Sequence, residues 1–164
     1  MKRLLRHLFA SSAHRLFPPE SLRRIHDAIA ASERRHRGEI CFAVESALHW
    51  RDVLAGVDSR RRAEHGFSAL RVWDTEANNG VLIYLLLADH RIEIVADRGL
   101  RERVGPAQWR GICQALEARM RAGECEQAII DGVGRIGELL AEHFPPRKGE
   151  TDEDELPNAP VILR

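Results

Sequence analysis

The run Val81–Leu87, VLIYLLL, constrains this chain more than any other segment. Successive side chains of a strand point to opposite faces, so an unbroken apolar run needs cover on both. The run is far too short to cross a bilayer as a helix. It lies inside Asn78–Leu100, NNGVLIYLLLADHRIEIVADRGL. Ala88-Asp89-His90-Arg91 reads as a tight turn. Ile92–Ala96 then returns with Ile92, Ile94 and Ala96 on one face. So short a connection requires antiparallel pairing.

Helices surround this hairpin in sequence. Pro18-Pro19 opens a helix predicted over residues 19–37, with Leu22, Ile25, Ile29 and His36 on one stripe and Gly38 as its stop. Glu39 to Val44 or Glu45 reads as a strand. A short apolar stretch, Trp50–Leu54, closes at Gly56. Asp58 is placed to cap a helix whose inner face holds Ala63, Phe67 and Leu70, with its arginines outward. Arg71–Thr75 is a connector or a short extended piece. Gly105-Pro106 opens a helix with Trp109, Ile112, Cys113, Leu116 and Met120 inward, ending at Gly123. The last helix starts near Glu124 and carries Ile129, Val133, Ile136, Leu140 and Phe144. Gly132, Gly134 and Gly137 weaken it by about 1 kcal/mol each relative to Ala, which close approach to a neighbour would explain. No phosphate-loop pattern accompanies them. The order α-β-α-β-β-α-α predicts a three-layer α/β/α sandwich with a small mixed sheet around a central β-hairpin.

Length and composition fit one domain with tails: a basic segment over 1–18, the domain over 19–145 and a disordered acidic tail over 146–164 containing ETDEDEL. The 164 residues are 44% hydrophobic and 30% charged, with formal net charge zero. That balance gives no global field for nucleic acid, and none is expected as a partner. Arg60-Arg61-Arg62 and Arg34-Arg35 sit beside acidic residues and read as solvated helix surface. Cys41, Cys113 and Cys125 form no CxxC pair. Cys41 and Cys113 read as small buried hydrophobes in a reducing compartment. MKRLLRHLFASSAH starts like a signal peptide, but Arg6 and His7 interrupt its apolar run. A cytoplasmic protein with no integral membrane segment is therefore expected, its first residues forming a short helix that docks on the domain or frays; a basic amphipathic helix touching anionic lipid is the alternative.

Two polar groups are candidate sites. If the turn centres on Asp89 and His90, position 82 opposes about position 97. Asn78, Asn79 and Asp97 then meet at one sheet end, with Asp74 nearby. Glu45 joins them if the first strand runs parallel to Ile92–Ala96. Such oxygens suit calcium or magnesium, and nothing calls for an organic cofactor. Ordinary turn chemistry, with Asp97 capping a short helix, accounts for the same residues. The second group is Glu33, His36 and Glu39. Glu33 and His36, spaced three apart, face one way on a helix. A histidine packed near a helix C-terminus, its positive form favoured by the dipole, accounts for this group without a metal. Asp97 with Arg98 could provide the carboxylate and cation of a phosphatase. No nucleophile elbow is present around Cys41, Cys113 or Ser46.

NNGVLI, IVADRGL, ERRHRGEI and VWDT, followed by a Trp-bearing helix and one ending in HFP, resemble the TPM-domain family. That family is named for thylakoid-lumen, photosystem-repair and receptor-modulator proteins, and these pieces look like its cytosolic bacterial branch. The resemblance spans about residues 20–145. It implies a Rossmann-like α/β/α sandwich, acid phosphatase activity in some members and binding of calcium or another divalent ion in some. Many members are membrane-anchored outside the cytoplasm, unlike the expectation for this chain. Three functions follow: a divalent-ion or small-ligand module acting at the Asp74/Asn79/Asp97 edge, a metal-assisted phosphatase, or a non-catalytic domain that binds an unidentified protein.

Overall fold

The computed structural model describes residues 1–147 and 155–163. In chain order the elements are α1 (Lys2–Leu8), α2 (Ala13–Leu16), α3 (Pro19–Glu33), β1 (Glu39–Glu45), α4 (Trp50–Leu54), α5 (Ser59–Ala69), β2 (Gly80–Leu86), β3 (Arg91–Ala96), α6 (Arg98–Arg101), α7 (Pro106–Arg121), α8 (Cys125–His143) and β4 (Val161–Leu163). The four strands lie in the order β3-β2-β1-β4. β1 is parallel to β2 and to β4, and β3 is antiparallel to β2. The expected α/β sandwich with a small mixed sheet is the observed fold. Among the described residues no helix is long and apolar enough to cross a membrane.

The apolar run does what its pattern demands. Every residue of β2 is buried. Val81, Ile83 and Leu85, with Ile40, Phe42 and Val44 of β1, pack on the side of Ile25 and Ile29 of α3, Ile112 and Leu116 of α7, and Ile129, Val133, Ile136 and Leu140 of α8. Leu82, Tyr84 and Leu86, with Cys41 and Ala43, pack on the opposite side with Ala63, Phe67 and Val72. Gly132 and Gly137 let α8 approach its neighbours. A Cβ on Gly132 would stand 2.8 Å from Leu116 Cδ1, and one on Gly137 2.1 Å from Ser32 Oγ. Nothing crowds Gly134.

Several local expectations need correction. The hairpin register is shifted by two residues: Val81 opposes Ala96 and Leu82 opposes Val95. The turn is centred one residue earlier, with His90 in the left-handed region at φ 52°. An even shift keeps every side chain on its intended face. α3 ends at Glu33 rather than 37, because Arg35 N–H and His36 N–H bond back to Ser32 and Glu33 carbonyls in tighter turns. Arg71–Asp74 forms turns, not extended backbone. Arg62 does not point outward but reaches Glu45.

The acidic tail over 146–164 is not disordered at 155–163. Leu156 is buried, and Val161–Leu163 pairs with Ala43–Glu45 as a fourth strand. The apolar Val161-Ile162-Leu163 triplet satisfies an edge that β1 would otherwise leave open. Residues 148–154 and 164, which carry most of the expected acidic run, lie outside the described residues.

Candidate functional site

Strand direction decides which polar residues meet. Because β1 runs parallel to β2, Glu39 aligns with Gly80 and Glu45 with Leu86. β1 is therefore antiparallel to β3, and Glu45 lies about 20 Å along the strand from the Asn79 end. There it accepts Tyr84 Oη–H (2.6 Å) and both arms of Arg62 (2.8 and 2.9 Å). Burial, then the bond to Glu45, pushes the Tyr84 phenol pKa upward. Glu45 is thus removed from the first candidate group.

Glu39 takes its place, so the two groups share one sheet end. Asn79 immediately precedes β2 and is fully buried. Its backbone N–H donates to Thr75 Oγ1 (3.1 Å), and its side-chain Nδ2–H donates to the Arg37 carbonyl (2.6 Å). Asp97 follows β3, and its N–H donates to the Gly80 carbonyl at 2.9 Å. Asp97 Oδ1 accepts from Arg98 N–H (2.7 Å) and caps α6. Glu33 Oε1 accepts from Ile40 N–H (3.1 Å) at the start of β1. Glu39 Oε1 accepts from Glu155 N–H (3.2 Å), and Glu155 Oε2 accepts from Glu76 N–H (2.8 Å). The returning tail therefore crosses this end. Asp74 lies beside it, exposed and ion-paired with Arg71.

Two glycines let the backbone converge here. A Cβ on Gly80 would sit 2.0 Å from the Val72 carbonyl oxygen, and one on Gly99 2.5 Å from that of Asn78. Asn78 adopts φ 51°, a conformation asparagine tolerates. Its Oδ1 accepts Arg98 Nε–H at 2.9 Å, which ties the Arg98 side chain to the turn before β2.

His36 is buried off the end of α3. Its Nδ1 accepts from Gly38 N–H (3.3 Å), so Nε2 carries the proton toward Ser32 Oγ (2.9 Å). Burial, aided by repulsion from Arg35, lowers its pKa to about 4. The expectation that the helix dipole favours its charged form fails because desolvation dominates. Among the described residues no three His, Cys, Asp or Glu side chains converge in a metal-holding group. At this end, Asn79 Oδ1 and Asp97 Oδ2 are nevertheless buried acceptors with no donor among the described residues.

This end is the amino end of β1, β2 and β4, and the carboxyl end of β3 alone. The crevice rule for open sheets points instead to the Glu45 end. There, residues of the N-terminal segment fill the space. His7 Nδ1 accepts from Leu48 N–H (2.9 Å), and Ser46 Oγ accepts from Ala13 N–H (2.8 Å).

Sequence reasoning missed Thr75, Arg37, Gly80, Gly99 and Glu155. Thr75 and Asn79, four apart around a turn, carried a weak signal; the arrival of Glu155 carried none.

A TPM domain model matches residues 12–139 of the chain. This chain belongs to the TPM-domain family. The NMR structure of the BA42 protein, from the psychrophilic bacterium Bizionia argentinensis, superposes on this TPM domain with a TM-score of 0.76. The two are 31% identical over 88% of this chain and 93% of BA42. No curated protein matches the sequence. The match to the TPM model begins at residue 12, within the segment before α3, and ends four residues short of the α8 terminus.

Proposed function

We propose that this TPM domain binds a divalent cation, calcium or magnesium, at the Asn79/Asp97 end of its sheet. One observation carries the reading: Asn79 Oδ1 and Asp97 Oδ2 are buried acceptors with no donor among the described residues. An unmet acceptor of this kind costs about 1–3 kcal/mol, which a cation or a donor ligand recovers. By contrast, the carboxylate of Glu45 at the opposite end is satisfied by Arg62 and Tyr84. Asp97 is the anchoring carboxylate, with Asn79 and neighbouring carbonyls as neutral oxygen donors, a set typical of hard cations. So few charged ligands imply weak binding.

Asp97→Asn tests this cleanly. The asparagine oxygen can still cap α6, while the second position becomes a donor that repels a cation. Millimolar calcium or magnesium raises the melting temperature of the native chain by mass action and leaves the variant unmoved. No shift in the native chain, or equal shifts in both, contradicts the reading.

The guanidinium of Arg98, held by Asn78 at this sheet end, favours a second reading as a metal-assisted phosphatase. An arginine and a bound cation could together stabilise a transferring phosphoryl group. Hydrolysis of p-nitrophenyl phosphate that needs the cation and disappears in both Asp97→Asn and Arg98→Ala supports it. Undiminished turnover in the variants rejects it.

A further inference from the structure

We infer that the face built by α1 and α4 is a peripheral docking surface for an anionic lipid bilayer. The helix α1 is docked inside out. Two of its polar side chains, Arg3 and His7, turn toward the domain. Arg3 donates to Asp89 (2.8 and 3.0 Å) and to the Val57 carbonyl (2.7 Å), and buried His7 bridges Leu48 N–H and Asp89. Its apolar side chains face solvent: Leu5 is 54% exposed and Leu8 62%, followed by Phe9 at 83%. α4 packs against α1 and adds Trp50 (48%) and Leu54 (65%). Among the described residues, every exposed large hydrophobic except Trp73 belongs to residues 1–16 or to α4. A soluble domain scatters such residues, whereas a cluster marks an interaction face.

Charge selects the occupant. Residues 1–19 contain Lys2, Arg3, Arg6 and Arg15 and no aspartate or glutamate. Arg51 and Arg121 add to this side, the former lying 5.3 Å from the Trp50 ring. Two bordering carboxylates are paired, Asp89 with Arg3 and Arg6 and Glu117 with Arg91 and Arg121, and Asp52 of α4 is a further acidic group on this side. Apolar side chains with an aromatic ring and a cationic rim match the boundary between acyl chains and anionic headgroups. Leu5, Phe9 and Leu16 also border a cavity of about 640 Å³ that reaches Leu87 and Met120, with Arg6 and Arg121 in its lining. Neither a second copy nor an acidic protein needs both the apolar depth and a rim in which arginines outnumber carboxylates.

The test uses the full chain with sedimenting vesicles. Vesicles containing phosphatidylglycerol should bind it at low salt, and phosphatidylcholine vesicles about tenfold or more weakly. Raising salt should weaken binding to the anionic vesicles. The double variant Leu8→Ser/Phe9→Ser removes exposed side chains only, so its melting temperature should match the native value. Its vesicle affinity should fall by about tenfold or more. The proposal is overturned by absence of binding to anionic vesicles, by equal binding to both vesicle types or by full binding of the double variant. A concentration-dependent dimer that the double variant abolishes, without vesicle binding, overturns it too and assigns the face to a second copy.

Discussion

His36 shows how one residue can report on the whole fold. Its folded pKa, about 4, lies below the ordinary value of 6.5 because the ring is buried between Ser32 and Gly38 with Arg35 nearby. Between those values the unfolded chain binds a proton that the folded chain refuses. Stability therefore falls as pH drops from 6.5 toward 4, and this contribution is fully present above 6.5. We expect His36→Gln to flatten that part of the stability curve by on the order of 2 kcal/mol relative to the native chain. Urea unfolding at pH 7, 5.5 and 4.5 measures it, and parallel curves would show that His36 titrates normally. Cys41 is buried as its sequence setting suggested, whereas Cys113 is half-buried. Burial pushes the Cys41 and Cys113 thiols up to about 11, so neither is an activated nucleophile.

At the scale of elements, one buried ion pair joins α5 to the sheet. Arg62 crosses from α5 to Glu45 of β1, and Tyr84 of β2 completes the group. Glu45 is almost wholly buried, so removing its partner leaves an uncompensated charge. Arg62→Ala should cost about 3 kcal/mol or more in urea unfolding, whereas a surface pair would cost under about 1 kcal/mol. Adding Glu45→Gln should recover part of the loss. The C-terminal strand makes a separate prediction. Truncation after Arg147 removes buried Leu156 and the β4 pairing of Ala43–Glu45. Hydrogen exchange at those β1 amides should then accelerate, with the α7 and α8 amides little changed. Unchanged protection of β1 would mean that β4 is not part of the stable sheet.

At the scale of the molecule, the patterns that survive in sequence are those set by burial. Val81–Leu87 announced a covered inner strand, and the stripe Ile129–Val133–Ile136–Leu140 announced α8. Gly132 and Gly137 announced close packing, and the two contacts bear this out. Long-range direction left no local trace. Nothing in Glu39–Glu45 says whether β1 runs with β2 or with β3, yet that alone decides whether Glu39 or Glu45 joins Asn79 and Asp97. The return of the tail was hidden in the same way, because an acidic, proline-containing segment gives no sign that Val161–Leu163 will find an open edge. Asp97 was legible as a helix cap, and its Oδ1 caps α6; its Oδ2 has no donor among the described residues, and the proposed cation site rests on it.

Amide chemical-shift mapping during calcium and magnesium titration tests the central claim most directly. Saturable shifts at millimolar ion, centred on Asn79, Gly80, Asp97 and Arg98 and abolished by Asp97→Asn, are the predicted result. Shifts that do not saturate, or that centre on the Glu45–Arg62–Tyr84 end, would contradict it.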